Sequence, residues 1–336
     1  MRIYFEEMVE VFKIILIKKG FSETDAYQGA FLFAQNSLDG VYSHGVNRFS
    51  RVISYIDKGH INVESKATKV DGIGSFERWD GNFGLGNLNA KICMDRAIML
   101  AHAHGIGIVA IKNTNHWMRG GCYGWQAANA GCIGICWTNT QPNMPAWGAK
   151  DRRIGNNPFV LAIPRGNGAH VVLDCAMSQF SYGKIEEYKL NNRLLPVDGG
   201  FDPEGNLSKD PSLIEKTWRV LPIGFWKGSA MSIALDLAAA VLSGGNTTSE
   251  VGKLGEDEYG LSQVLIAIDP NKMDSAQFAD QKLDSAIYDL KNSEPSDQNS
   301  KIYYPGEKTY ITRQDNTKNG IPVSDKVWNN ILEMLK

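Results

Sequence analysis

The sequence predicts an α/β protein with a helical domain at its N-terminus. Through the first sixty residues, apolar side chains recur at steps of three and four, the period of a helix with one buried face. From about residue 72, short β-branched apolar runs alternate with helical segments, as in an α/β domain. The 336 residues suffice for two domains. We place a helical domain at 1–72, completed by C-terminal helices at about 228–250 and 270–336, and an α/β domain at 73–227.

Three helices are predicted in the N-terminal segment. The first ends at Gly20, directly after its apolar stripe. Ser22 and Asp25 have the spacing of a capping box, which indicates that a second helix begins there and continues to about Leu38. The third begins near residue 43, and its apolar stripe ends before Gly59.

The rest of the chain supplies the strands and the remaining helices. Its apolar runs predict strands at 106–112, 132–138, 158–164, 170–174 and 262–269. Helical spacing predicts helices at 87–103, 122–130, 228–243, 274–292 and 323–335. The polar segment 191–211 is rich in Gly, Pro, Asp and Asn, and we expect an ordered loop or lobe there.

Composition argues against several classes of protein. Lys and Arg number 35 against 37 Asp and Glu, so there is no basic excess to attract nucleic acid or an anionic membrane. The five cysteines form no CxxC pair, which argues against a zinc site or a disulfide framework. No apolar run is long enough to span a membrane, and the first residues lack the pattern of a secretion signal. We therefore expect a cytoplasmic protein that binds neither nucleic acid nor membrane.

The segment SHGVNR (43–48) is the first candidate site. His44 and Arg48 are four residues apart, so on a helix they project from one face. Reduction of a 2-keto acid needs such a pair, because a guanidinium binds the carboxylate through two hydrogen bonds and an imidazole protonates the carbonyl oxygen. The spacing alone also fits a solvated arginine and a hydrogen-bonded histidine at a helix start, which is the commoner situation.

A second candidate is the loop NTNHWMRGG (113–121). It follows a predicted strand and precedes a helix, and α/β proteins collect ligands at such strand ends because free backbone N–H groups lie there. His116 is therefore a candidate for substrate contact. A turn histidine bonded to nearby backbone is an equally good interpretation.

Two further features suit an anionic ligand. No Asp or Glu occurs from Arg96 to Lys150, so this segment is neutral or positive. Lys227 and small residues open the helix predicted at 228, where charge and helix dipole favour a phosphate. Burial explains the first feature as well, and an ordinary helix cap explains the second.

The common cofactor and metal motifs are missing. GIGIVA (105–110) has the letters of the dinucleotide fingerprint, but it ends a helix and begins a strand, the reverse of the required order. His102 and His104 lie two residues apart in a predicted helix and point away from each other. We predict neither a Rossmann fingerprint nor a metal site.

Long segments of the chain resemble the type-2 malate/L-lactate dehydrogenase family of nicotinamide-dependent oxidoreductases. The matching segments include GVYSHGVNRF (40–49), NHWMRGGCYGWQAA (115–128), WGAKDRRIGNNP (147–158), WKGSAMSIALD (226–236) and DEYGLSQ (257–263). Together the matches extend over nearly the whole chain. The resemblance implies a fold outside the Rossmann class, in which a helical domain joins a nicotinamide-binding α/β domain with a mixed sheet. It also implies a homodimer.

The resemblance assigns roles to individual residues. The proton donor falls on His44, the carboxylate-binding arginine on Arg48 and the second active-site histidine on His116. The implied cofactor contacts are His170, Val171, Val172, Leu173, Asp174, Cys175, Ala176, Trp226, Lys227, Gly306, Glu307 and Lys308.

The implied activity is reduction of a 2-keto sugar acid by NADH, with hydride transferred to C2 and His44 as the proton donor. NADPH stays open, because no ribose-binding acid or arginine can be assigned outside a Rossmann site. One alternative is a malate or lactate type of dehydrogenase that acts on a smaller 2-hydroxy acid. Another is a sugar-acid binding protein without turnover, and a third, a metal-dependent hydrolase, lacks a ligand cluster.

Overall fold

The computed structural model describes residues 1–272, 276–298 and 300–336, and for residues 276–279 it describes the backbone alone. Residues 274 and 275 of the helix predicted at 274–292 lie outside the described residues. The described α-helices are α1 (Phe5–Lys18), α2 (Glu23–Leu38), α3 (Val46–Asp57), α4 (Gly86–His104), α5 (Gly121–Asn129), α6 (Tyr182–Leu190), α7 (Pro211–Thr217), α8 (Trp226–Ser243), α9 (Thr248–Val251), α10 (Ala276–Lys291), α11 (Glu307–Asn319) and α12 (Asp325–Glu333). Short 3-10 turns occur at Tyr42–His44 and Pro270–Lys272.

A mixed sheet forms the centre of the α/β part. The described strands are β1 (Arg2–Ile3), β2 (Thr68–Ile73), β3 (Phe76–Asp80), β4 (Ile106–Thr114), β5 (Ile133–Thr138), β6 (Met144–Pro145), β7 (Arg152–Ile154), β8 (Phe159–Ile163), β9 (Val171–Cys175), β10 (Gly200–Phe201), β11 (Leu207–Ser208), β12 (Leu261–Ile268) and β13 (Ile321–Pro322). Seven of them form one sheet in the order β2-β3-β4-β12-β5-β8-β9. β3 and β4 run parallel, and the other neighbouring pairs of this sheet are antiparallel.

Helices cover both faces of this sheet. α4 and α5 pack on the face that presents Val109, Ile111 and Leu265. α8 packs on the opposite face, which presents Ala110 and Val264. Successive residues of β4 thus enter two different cores, because side chains alternate between the faces of a strand. A strand buried on both faces reads as a continuous apolar run, which is why the sequence predicts it well.

The N-terminal helices share a core with the end of the chain. The Phe12 and Phe49 rings stack with centroids 4.1 Å apart, and Phe33 and Trp328 lie in the same buried cluster. β1 pairs with β13, so the first and last segments of the chain lie side by side. α11 packs on α2, and α12 packs on α3.

Two helices in the C-terminal ranges that were expected to complete the helical domain, α8 and α10, contact the α/β part of the chain. α8, within the range 228–250, packs against the sheet, because its inward apolar residues complete the sheet core. α10 lies against the turn after β8, where Gly166 N–H donates to Asp280 Oδ1 at 3.0 Å. The sheet also continues past the expected limit at residue 227, because β12 is one of its central strands. The division at residue 72 stays a prediction.

Several elements of the fold have no clear apolar pattern in the sequence, so the sequence does not predict them. β2 is exposed along its whole length, so the hairpin that it forms with β3 lacks an alternating signal. α11 is polar on most of its surface. The expected lobe at 191–211 contains the short antiparallel pair of β10 and β11. Among the described residues, no helix combines the length and the apolar character that crossing a membrane requires.

Candidate active site

His44 lies in a turn and not in a helix. It is the last residue of the 3-10 turn Tyr42–His44, and α3 begins only after Gly45. A Cβ at position 45 would lie 2.2 Å from Ser37 Oγ, so glycine allows this turn to press against α2. The predicted helical spacing of His44 and Arg48 is therefore corrected, because the turn decides where the imidazole lies.

The surroundings of the His44 imidazole disfavour its charged form. Nδ1 lies 2.9 Å from Ser43 Oγ. Burial, followed by the positive charges of Arg48 and Arg119, lowers the pKa of His44 to about 4. The ring is therefore neutral at pH 7 in the substrate-free protein. Its other nitrogen, Nε2, has no hydrogen bond to the described residues.

The Arg48 guanidinium is mostly buried and keeps its donors free. Its side chain is 22% exposed, and Nη2 lies 3.9 Å from Glu258 Oε2. This separation is too long for a hydrogen bond, and the guanidinium has no hydrogen bond elsewhere in the described chain. Burial is the main cause that lowers the pKa of Arg48, yet a guanidinium stays charged at neutral pH. A buried cation with unused donors suits a carboxylate ligand.

His116 faces His44 across the site. The two ring centroids are 5.8 Å apart, and the ring planes differ by 24°. His116 Nδ1 accepts a 2.9 Å hydrogen bond from the Met118 N–H. Burial first, then the charges of Arg48 and His44, lower the pKa of His116 well below its usual value. A neutral ring that accepts at Nδ1 carries its proton on Nε2, so His116 offers an Nε2–H donor to the site.

Glu258 completes this group of residues, and the sequence reasoning does not single it out. Its side chain is 9% exposed, and Oε2 lies 3.9 Å from both Arg48 Nη2 and His116 Nε2. Oε1 accepts a 3.2 Å hydrogen bond from the Gln141 N–H. Burial raises the pKa of Glu258, and the nearby Arg48 charge opposes that rise. We call His44, Arg48, His116 and Glu258 the His44 cluster.

One signal in the sequence could have indicated Glu258. It is an acidic residue three positions before the first residue of a buried apolar strand, β12. The first residue of β12 pairs with Thr114, the last residue of β4, so Glu258 and the loop after β4 meet at one edge of the sheet. The end of β4 is where the sequence predicts the ligand-binding loop 113–121.

The segments 170–176 and 306–308, both expected to contact the cofactor, lie next to each other. The Val172 N–H donates to the Pro305 carbonyl oxygen at 2.9 Å. Gly306 has a φ of 90°, and a Cβ there would lie 2.9 Å from the Val172 nitrogen. Glycine is therefore required for α11 to begin so close to β9.

Trp226 and Lys227 lie near the other end of β9. The Ile223 N–H donates to the Met177 carbonyl oxygen at 2.9 Å, which ties the segment before α8 to the residues after β9. Both Trp226 and Lys227 are exposed at the first turn of α8. The structure thus places Gly306 beside β9 and the segment before α8 beside the residues that follow β9, and the role of the three predicted segments in binding stays a prediction.

His170 is occupied within the fold. Its buried ring has Nε2 3.0 Å from Asn129 Oδ1, and its Nδ1 accepts a 3.0 Å hydrogen bond from the Arg165 N–H. Both ring nitrogens are therefore used by the protein itself. This histidine supports the start of β9 and leaves no ring nitrogen for a ligand.

A second charged cluster links the His116 loop to β9. Arg119 is buried, donates to Asp39 and lies 3.4 Å from Asp174 Oδ2. Arg313 binds Asp39 through two hydrogen bonds of 2.6 and 2.9 Å. Asp174 also accepts a 3.0 Å hydrogen bond from the Gly121 N–H. We call Asp39, Arg119, Asp174 and Arg313 the Asp39 cluster.

Comparison with known proteins identifies the family. The malate/L-lactate dehydrogenase family model matches residues 3–332, so the chain belongs to this family of oxidoreductases. It is 48% identical, over 328 residues, to 2,3-diketo-L-gulonate reductases from Citrobacter koseri and Escherichia coli, which is 98% of this chain and 98% of each relative. The predicted family resemblance is therefore confirmed.

Two solved structures of the same fold are dehydrogenases. Sulfolactate dehydrogenase from Methanocaldococcus jannaschii matches with a TM-score of 0.91 at 30% identity, over 99% of this chain and 96% of that one. Malate dehydrogenase from Entamoeba histolytica matches with a TM-score of 0.93 at 26% identity, over 99% and 97%. The predicted α/β fold with a mixed sheet is confirmed.

Family membership implies a nicotinamide cofactor. The residues at the start of α8 fit the phosphates of such a group. Lys227 is exposed and forms no ion pair with the described residues, so its ammonium is free at a helix N-terminus.

Proposed function

We propose that this protein is a nicotinamide-dependent reductase that converts 2,3-diketo-L-gulonate to 3-dehydro-L-gulonate. The main support is the arrangement of the His44 cluster, in which a buried guanidinium with free donors lies beside two facing imidazoles. The reductases of that name, which align over 98% of the chain, support the choice of substrate.

Arg48 binds the C1 carboxylate of the substrate through two parallel hydrogen bonds. When bound, the reduced nicotinamide supplies the hydride that C2 accepts. His44 donates a proton from Nε2 to the oxygen bonded to C2. The Nε2–H of His116 donates a hydrogen bond to the same region of the substrate and stabilises the charge that develops on oxygen.

His44 must gain a proton before it can act as the donor. Its pKa of about 4 in the substrate-free protein leaves it neutral at pH 7. A substrate carboxylate at Arg48 cancels part of the positive charge that lowers this pKa. Substrate binding therefore promotes proton uptake at His44, and this proton passes to the substrate during reduction.

The cofactor lies along β9 and at the start of α8 in this proposal. Residues 170–176, 226–227 and 306–308 provide its contacts, His170 through its backbone because both of its ring nitrogens are used within the fold, and Lys227 pairs with a phosphate. The sheet has a single parallel strand pair among its described strands, which supports a binding site outside the Rossmann class, where the sheet is mostly parallel. We assign NADH as the reductant on the family resemblance.

The decisive assay follows the absorbance of the reduced cofactor with the purified protein. It compares 2,3-diketo-L-gulonate, oxaloacetate and pyruvate, each with NADH and with NADPH. We expect the highest kcat/KM for diketogulonate with NADH. A preference for oxaloacetate or pyruvate would support the alternative of a smaller acid. Inertness of all three acids with both cofactors would overturn the proposal and favour a sugar-acid binding protein.

We also propose that the protein forms a homodimer through α8. The outward side of this helix exposes Met231, Ile233, Leu237 and Val241, the last of them 78% exposed. From residue 228 to 243 the sequence has one charged residue, Asp236, whose Oδ1 accepts hydrogen bonds within the chain. An uncharged apolar face can pack against its own copy, as a two-fold interface requires.

Light scattering coupled to size exclusion tests the dimer. We expect the mass of two chains for the wild type and of one chain for Leu237→Lys. Leu190→Lys, which adds the same charge at an exposed leucine of α6, should leave the dimer intact. A monomeric wild type, or a dimeric Leu237→Lys variant, would contradict the α8 interface.

A further inference from the structure

We propose that Glu258 is a positioning residue, whose carboxylate aims the Arg48 guanidinium and the His116 Nε2–H at the bound 2-keto acid. This inference rests on the proposed function, because it assigns both donors to the substrate. It adds a role for a residue that lies in the family-like segment DEYGLSQ (257–263) but to which neither the motif spacing nor the family resemblance assigns one.

The backbone of Glu258 is held by the C-terminal end of α3. The Glu258 N–H donates to the Tyr55 hydroxyl at 3.4 Å. Its neighbour Asp257 accepts a 2.6 Å hydrogen bond from Lys58 and lies 3.0 Å from His60 Nε2. The first turn of this same helix carries the arginine of the site. One rigid element therefore sets the distance between carboxylate and guanidinium.

The carboxylate of Glu258 is shared between two donors. Oε2 is 3.9 Å from Arg48 Nη2 and 3.9 Å from His116 Nε2, while Oε1 is fixed by the Gln141 N–H. Among the described residues, the Arg48 guanidinium has no other ion pair and no hydrogen bond. The negative charge of Glu258 is therefore what orients the guanidinium in the substrate-free site.

The separations of 3.9 Å have a functional consequence. At this distance the Glu258 carboxylate attracts the Arg48 charge and the positive end of the His116 N–H dipole, but no hydrogen bond uses up the donors. The oxygens of an incoming 2-keto acid can then accept from both Arg48 and His116 without first breaking a hydrogen bond to Glu258. Pre-oriented donors reduce the ordering that substrate binding requires.

Two substitutions separate this role from a structural one. Glu258→Gln keeps an oxygen that can accept from the Gln141 N–H but removes the charge that orients the donors. Glu258→Asp keeps the negative charge but moves it away from Arg48 and His116 by the length of one methylene group. A purely structural role predicts little effect of the first change.

The test measures steady-state reduction of diketogulonate. We expect Glu258→Gln to raise the KM for the acid about tenfold and to lower kcat, because misaligned donors weaken both substrate binding and stabilisation of the developing charge. The KM for NADH and the melting temperature should not change. Glu258→Asp should recover part of the loss. Glu256→Gln removes the same charge from an exposed position of the same loop and serves as the matched control.

The outcomes separate this inference from the proposed function. An unchanged or lower KM for the acid in Glu258→Gln would overturn the inference, since the carboxylate would then be idle or a competitor of the substrate. A parallel rise in the KM for NADH would show a structural role and also overturn it. If the wild type reduces none of the acids, the proposed function fails. In that case the Kd of oxamate, a non-reducible 2-keto acid analogue, is measured by tryptophan fluorescence for the wild type and for Glu258→Gln. A higher Kd in Glu258→Gln would support the inference, and an unchanged or lower Kd would overturn it.

Discussion

The two buried charged clusters differ in how completely their donors and acceptors are paired. In the Asp39 cluster, Arg313 binds both carboxylate oxygens at 2.6 and 2.9 Å, and Arg119 donates to the same carboxylate. In the His44 cluster, Glu258 stays 3.9 Å from each of its two charged or polar partners. The clusters are neighbours in the chain, because His116 and Arg119 belong to one loop.

This difference shows that burial of charge does not by itself mark a functional site. A carboxylate satisfied by two arginines holds elements of the fold together, and it has nothing left for a ligand. A guanidinium and an imidazole with unused donors in a buried position are costly unless a ligand satisfies them. Unused donors, more than burial, therefore distinguish the His44 cluster.

The largest expected effect is on turnover. His44→Ala removes the proposed proton donor and should lower kcat about 10²–10⁴-fold, the usual contribution of a positioned acid. Diketogulonate reduction under saturating NADH measures it, and the melting temperature should stay unchanged. His104→Ala, an exposed histidine of α4, is the control and should keep full activity. Equal activity of the two variants would remove His44 from the mechanism.

The Asp39 cluster should respond in stability. Asp39→Asn leaves the buried Arg119 and the partly buried Arg313 without their shared carboxylate, so we expect the free energy of unfolding to fall by about 3–5 kcal/mol. Urea denaturation followed by tryptophan fluorescence measures it. Asp71→Asn breaks an exposed pair with Arg78 and should cost at most about 1 kcal/mol. Similar losses in the two variants would contradict a special role of the Asp39 cluster.

A conservative change at Arg48 sharpens the comparison. Arg48→Lys keeps the charge but loses the paired geometry of the guanidinium, so the KM for the 2-keto acid should rise about 10–100-fold. Initial rates over a range of acid concentrations measure this effect. The control is Arg51→Lys. Arg51 lies one turn away from Arg48 on the exposed side of α3, so this change should leave the KM for the acid unchanged. If both variants have the KM of the wild type, Arg48 does not bind the substrate carboxylate through two parallel hydrogen bonds.

The smallest effect concerns pH. The pKa of His44 is about 4 in the free protein and rises when an acid binds at Arg48, so complex formation takes up a proton. Between these two pKa values, the Kd for oxamate should fall by up to tenfold for each unit of decreasing pH. Fluorescence titrations with bound NADH measure this slope. In His44→Gln the slope should disappear, and a persistent slope would assign the proton to another group.

Much of the fold follows from the sequence for a definite reason. The strand predicted at 106–112 is observed as Ile106–Thr114, and the one at 262–269 as Leu261–Ile268. Both are buried on two faces, so their composition reflects the core directly. The exposed strand β2 is held by its pairing with β3, and the polar helix α11 by hydrogen bonds from Arg313 to Asp39 and from Asn316 to the Leu38 carbonyl oxygen, none of which leaves an apolar pattern. The sequence also does not predict that α8 packs on the sheet, because an apolar helix could pack equally well in the sheet core or in the core of the N-terminal helices.

The sequence by itself determined the family and the main strands, and it predicted three residues of the candidate site, because His44, Arg48 and His116 lie in local motifs. Only the tertiary structure decided that Glu258 joins them. It lies 142 positions beyond His116, and the antiparallel register that sets Leu261 opposite Thr114 brings the two together. The same holds for the Asp39 cluster. Residue spacing in the sequence predicts which side chains lie together on one helix or loop. The distances between charged side chains of different elements depend on how those elements pack.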